Sequence, residues 1–127
     1  MENKTATDLV KEAKLKIEGL SPEQASKELL DENTILIDIR ESEEIQQNGK
    51  ISGSVHAPRG MLEFYADETL PYHKPEFDKN KRLILHCASG GRSALATATL
   101  KEMGFKNVAH LDGGIKAWKD SGKPTVD

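Results

Sequence analysis

Two short apolar runs constrain this chain more than any other feature: "TILIDI" at residues 34–39 and "RLILHC" at residues 82–87. Neither alternates apolar with polar. A strand that is apolar on both sides must be covered on both sides, and that favours a parallel sheet over a half-wet antiparallel one. "NVAHL", residues 107–111, has the same character. Parallel neighbours need long crossovers, so the segments between the runs should carry helices.

They do. In "SPEQASKELL", Ser21 can cap a helix, Pro22 fits its first position, and Gln24 completes a capping box. "ESEEIQQNGK" predicts a short helix closed at Gly49, and "GSVHAP" a short strand ended by Pro58. "SALATATLKEM" predicts a helix stopped at Gly104, and "IKAWKDSG" a helix stopped at Gly122 with Trp118 in the core. Strands alternating with helices predict an α/β fold: a central parallel β-sheet flanked by helices on both faces. Ahead of it, Leu9, Val10, Ala13 and Ile17 share one helical face. Residues 1–19 are therefore read as an N-terminal helical extension, packed on the core or mediating association, and residues 20–127 as the domain. "RGMLEFYADETLPYHKPEFDKN" is the long irregular part, because Pro71 and Pro75 block an extended helix. Its Met61, Leu62 and Phe64 either lie exposed for a hydrophobic acceptor or protein partner, or pack under the loop.

Composition narrows the functional classes. Charged residues make up 31% of the 127, and the net charge is −3 with both signs interspersed. No basic face is expected, hence no nucleic-acid partner. No apolar run is long enough for a secretory signal or a membrane helix, so a cytoplasmic protein without a membrane partner is expected. One cysteine allows neither an internal disulfide nor a thiolate metal cluster, and no metal or organic cofactor is expected.

That cysteine stands in "HCASGGRS", residues 86–93. Ligands of open α/β sheets bind at the carboxyl ends of strands, and Cys87 sits at such an end. Gly90 and Gly91 let successive backbone N–H groups turn inward, and the helix that follows adds its positive N-terminal end. Both favour thiolate, the nucleophilic form. Arg92 opposes the helix dipole at a cost of about 0.3–1 kcal/mol, which makes sense if an anion occupies the loop. Ala88, Ser89, Gly90, Gly91, Arg92 and Ser93 are thus the candidate binding loop around Cys87. Asp38 and Arg40 leave the neighbouring strand toward the same rim, with Asp38 a candidate partner of Arg92, and Arg59 follows the "HAP" strand end. His56, His73, His86 and His110 lack ligand spacing and are read as packing or surface residues. His86 should point away from the thiol.

At these residues the sequence resembles the rhodanese-like (sulfurtransferase) domain family over residues 20–124. "LIDIRESEE", "GKISGSVHAP", "CASGGRS" and "HLDGGIKAWKDSGKP" are similar to four of its segments, in order. The resemblance implies a persulfide mechanism. Cys87 takes sulfane sulfur from a small-molecule donor such as thiosulfate and passes it to cyanide, a thiol or a protein sulfur acceptor. Three positions depart from the family pattern: Ala88 stands where many sulfurtransferases carry arginine, Lys50 where histidine is frequent, and Ser54 where alanine is. Ala88 leaves the donor open. Cysteine-dependent phosphatases, which place arginine six positions after the cysteine, are the rival class, with arsenate reductase beside them. Here Arg92 comes five positions after Cys87, a smaller cradle. A non-catalytic binding module is the third reading.

Overall fold

The computed structural model describes residues 3–127. Five strands form one sheet: β1 (Glu18–Leu20), β2 (Thr34–Asp38), β3 (Val55–His56), β4 (Arg82–His86) and β5 (Val108–Leu111). Their order is β1-β5-β4-β2-β3, and every neighbouring pair is parallel. The most apolar strands, β2 and β4, lie in the interior of the sheet. The short β1 and β3 take the edges.

Among the described residues six α-helices accompany the strands: α1 (Ala6–Lys16), α2 (Pro22–Glu28), α3 (Ser42–Asn48), α4 (Leu62–Ala66), α5 (Gly91–Glu102) and α6 (Gly114–Asp120). Ser21 and Gln24 form the expected capping box at α2, and Gly49 caps α3. The helix α5 starts two residues earlier than "SALATATLKEM" suggests, because Gly90 itself is its N-cap.

Strand parity divides the core into two layers. On one face, Ile37, Leu83, Leu85, Cys87 and Val108 pack against α4 and α5 through Leu62, Ala96 and Leu100. On the other, Leu36, Ile84, Ala109 and Leu111 meet α2 and α6 through Ala25, Ile115 and Trp118. The sheet is thus flanked on both faces, as the apolar runs require. The helix α1 packs on α5, and β1 then carries the chain across residues 19 and 20 into the sheet.

The irregular segment differs from expectation in one respect. Arg59–Met61 forms a 3-10 turn that leads into α4. This aims Leu62 into the core at 0% exposure, while Phe64, two residues on, is 47% exposed. Of the three apolar residues Met61, Leu62 and Phe64, only Phe64 is well exposed; Met61 is half-buried. No helix of the described residues is long and apolar enough to cross a membrane.

Candidate active site

Cys87 is the first residue after β4, and it is buried, at 1% exposure. The next turns of chain explain how a loop of small residues becomes a cradle. The carbonyls of Cys87 and Ala88 point away from the thiol and accept from the N–H groups of Ile115 (3.0 Å) and Lys116 (3.1 Å) at the start of α6. They thereby satisfy two of the four N–H groups a helix start leaves open. With the carbonyls occupied there, the amides further along turn toward sulfur. Gly90 N–H donates to Sγ at 3.2 Å and Ser93 N–H at 3.3 Å. Gly90 adopts φ +109°, in the left-handed region that a side chain opposes, which is how the chain reverses before α5.

The same close approach fixes "DGG". A Cβ on Gly114 would lie 2.7 Å from the Cys87 carbonyl oxygen and closer still to that of Ala88, and its φ is +64°. The cradle rests directly on the backbone of α6, and only glycine leaves room for it.

Arg92 lies in the first turn of α5, but its partner is not Asp38. Both guanidinium NH2 groups bond Glu44 of α3, at 2.7 and 2.8 Å. Hydrogen bonds from Arg92 pull the Glu44 carboxyl from 4.5 to about 2, and Glu44 in turn holds Arg92 above its ordinary value. Asp38 is instead clamped by Arg40. Nε meets Oδ1 at 3.0 Å and NH2 meets Oδ2 at 2.8 Å, with a further bond from NH2 to the Gly49 carbonyl at 2.9 Å. The physical reason is burial: both side chains are 1% exposed, and a buried carboxylate needs a fixed cation. The guanidinium two residues along supplies one in fork geometry. Burial alone would raise Asp38, but the Arg40 hydrogen bonds and nearby His86 outweigh it and hold the carboxyl below its usual range.

Arg40 is therefore no exposed rim residue. It does form the buried floor of a cavity of about 230 Å³ that borders the loop, together with Glu44, Ala88, Ile115, Lys116 and Lys119. A larger cavity of about 480 Å³, lined by Ala66, Phe77, Asn80 and Phe105 among others, lies at the opposite end of β4 and β5. Arg59 is also turned from the cradle. It bonds Glu63 at 2.9 Å and reaches Thr99, two helical turns along α5 from Arg92. Ser89 is exposed at the lip of the loop, while Gly91 packs beside Val10 of α1.

His86 points to the face opposite Cys87, as strand parity requires. Its Nε2 stands 3.6 Å from Asp38 and has no hydrogen-bond partner among the described residues. His110, read from sequence as a packing or surface residue, is buried beside the cradle. It lies on the Cys87 face and meets Ser93 Oγ at 2.9 Å through Nδ1. Ser93 Oγ in turn stands 3.6 Å from Cys87 Sγ. Parity with Val108 puts His110 on that face, but only the strand order brings β5 beside β4.

A buried thiol held by backbone amides at the carboxyl end of a parallel sheet makes this a cysteine-centred α/β domain. The chain belongs to the rhodanese-like domain family, whose model matches residues 21–121. It is similar to a sulfurtransferase of Allochromatium vinosum, 33% identical over 111 residues that cover 87% of this chain and 95% of that protein. Among solved structures it resembles a Rhodopseudomonas palustris protein of unknown function described as a possible tyrosine phosphatase. That match has a TM-score of 0.91 and 40% identity, over 98% of this chain and 96% of the other. It also resembles the polysulfide-sulfur transferase homodimer of Wolinella succinogenes, with a TM-score of 0.75 and 34% identity over 93% and 84% of the two chains.

Proposed function

We propose that this chain is a sulfurtransferase that carries sulfane sulfur as a persulfide on Cys87. The observation that carries the reading is the pair of N–H bonds from Gly90 and Ser93 to Sγ, inside a loop that reaches its arginine in five positions. In the first half-reaction, Cys87 thiolate attacks the outer sulfur of a donor such as thiosulfate. The donor's S–S bond breaks, sulfite leaves with the bonding pair, and Cys–S–S⁻ remains. In the second, cyanide or a thiolate attacks the terminal sulfur and regenerates the Cys87 thiolate. Negative charge stays near Sγ in both, where the loop amides meet it without reorganising. Arg92 is the cation for an anionic donor, and the adjoining cavity with Lys116 and Lys119 gives an acceptor a polar approach. A protein acceptor would meet the same lip at Ser89.

The rival is phosphatase chemistry, which similarity to a possible tyrosine phosphatase raises. The five-residue step to Arg92 leaves less room than a tetrahedral phosphate needs, which favours sulfur. Intact-mass measurement after incubation with thiosulfate and, separately, with a persulfide donor decides between them. A gain of one sulfur atom, removed by thiol and absent in Cys87→Ser, is expected. Hydrolysis of p-nitrophenyl phosphate without any sulfur gain would overturn the proposal.

A further inference from the structure

We propose that His110 is a positioning residue that takes up the Cys87 thiol proton through the Ser93 hydroxyl, a relay from sulfur to a ring on the neighbouring strand. The inference rests on the persulfide reading, which requires the thiol to lose a proton, but not on any particular donor.

The geometry is a chain of two short links. Cys87 Sγ stands 3.6 Å from Ser93 Oγ, and Ser93 Oγ stands 2.9 Å from His110 Nδ1. All three residues are buried, at 1%, 0% and 1% exposure. A thiol this deeply buried has little contact with bulk solvent. Ser93 has a second acceptor, the Gly90 carbonyl at 3.3 Å, but the imidazole is the closer one. In the resting state S–H donates to Oγ, and the Ser93 O–H donates to Nδ1. As Cys87 attacks, the thiol proton passes to Oγ and the hydroxyl proton to Nδ1. Thiol and neutral imidazole become thiolate and imidazolium, and the serine hydroxyl is re-formed. Serine can then turn its proton toward the thiolate and add a third donor to the two amides.

The surroundings of the ring suit the role. Burial lowers His110 below the ordinary histidine value, so the ring rests neutral and can take a proton at Nδ1, though as a weaker base than an exposed histidine. The charged groups that face it are Asp112, which favours the imidazolium, and Lys14 of α1, which opposes it. On β4 the register partner is Leu85, which is apolar, and on β1 it is Gly19. A Cβ on Gly19 would lie 3.6 Å from Nε2, so the far edge of the ring faces the exposed edge strand. The ring spans from cradle to sheet edge, where the proton can leave.

The test reads thiol ionisation rather than sulfur transfer. The rate of Cys87 alkylation by iodoacetamide is followed from pH 5 to 10 in the full chain, in His110→Asn and in Ser93→Ala. Asparagine still offers Ser93 a hydrogen-bond acceptor but cannot hold the proton. We expect the alkylation midpoint to move up by about one pH unit in both variants, a roughly tenfold slower reaction near pH 6.5 that converges with the parent at high pH. As a reciprocal check, Cys87→Ser should alter the His110 imidazole titration followed by NMR, because coupled groups titrate together. Profiles of His110→Asn that superimpose on the parent, or a His110 titration indifferent to Cys87→Ser, would overturn the relay. Either result in a protein that still gains sulfur leaves the persulfide reading standing; a parent protein that gains none overturns that reading instead.

Discussion

Glu44→Gln is the perturbation that separates the two roles Arg92 can play. In the structure its guanidinium is committed to Glu44 by two bonds of 2.7 and 2.8 Å. An anionic donor must share that cation or displace the carboxylate. The fall of Glu44 from 4.5 to about 2 would correspond to about 3 kcal/mol. The two side chains are 39% and 31% exposed, so screening by water leaves about 1 kcal/mol. Removing the charge while keeping the shape should therefore do two things. Stability should drop by about 1 kcal/mol, read as a shift in the urea midpoint. The KM for thiosulfate should fall about fivefold at low ionic strength, since a single charge placed about 8 Å from a dianion in water repels it by about 1 kcal/mol. The kcat should change little, because the thiol and its amide donors are untouched. The KM effect should vanish near 1 M salt, where screening acts within about 3 Å. A cyanide–thiosulfate assay measures both constants. A KM that rises or stays level at low salt would show that Glu44 orients Arg92 for the donor rather than competing with it, and would refute the reasoning.

Arg40→Leu should cost about 3–5 kcal/mol in denaturant unfolding, because it leaves the Asp38 carboxylate buried without its cation. Gly114→Ala should impair sulfur uptake more than it impairs folding: its Cβ would collide with the carbonyls of Cys87 and Ala88, and the loop would have to move. A thermal midpoint that falls while sulfur uptake stays intact would contradict that placement. Glu44 and Asp38 both have carboxyls held below their unfolded values. Their contributions are thus full above pH 4.5 and are lost as pH falls, for Glu44 toward about 2. Acid titration of stability should show this slope, and Glu44→Gln should flatten it.

What the sequence discloses depends on whether a signal is local. The strands, the Ser21–Gln24 box and the glycine stops are local: each is set by neighbours within a turn or by parity along one strand. The cradle is also largely local, since Cys87, Gly90 and Ser93 lie within seven residues. Pairings between elements are not. Asp38 reads as free to reach Arg92 because charge alone does not reveal burial; once both β2 and Arg40 are inside, the fork two residues away is the cation that clamps it. Glu44 reads as one acid among several in "ESEE", and only the placement of α3 beside α5 singles it out. His110 is the sharpest case. Its parity is legible, but its meaning depends on β5 lying next to β4 rather than on β2's side, an order that no residue of "NVAHL" encodes. The Gly113–Gly114 pair carries the missing information in another form. A glycine that cannot bear a Cβ because of two carbonyls in the cradle is a record, written in one strand's exit, of which neighbour that strand must have. The steric demand and the His110 contact have one origin: β5 and the turn after it are packed so closely on the Cys87 loop that the turn supplies the loop's floor and the strand the proposed base behind its thiol.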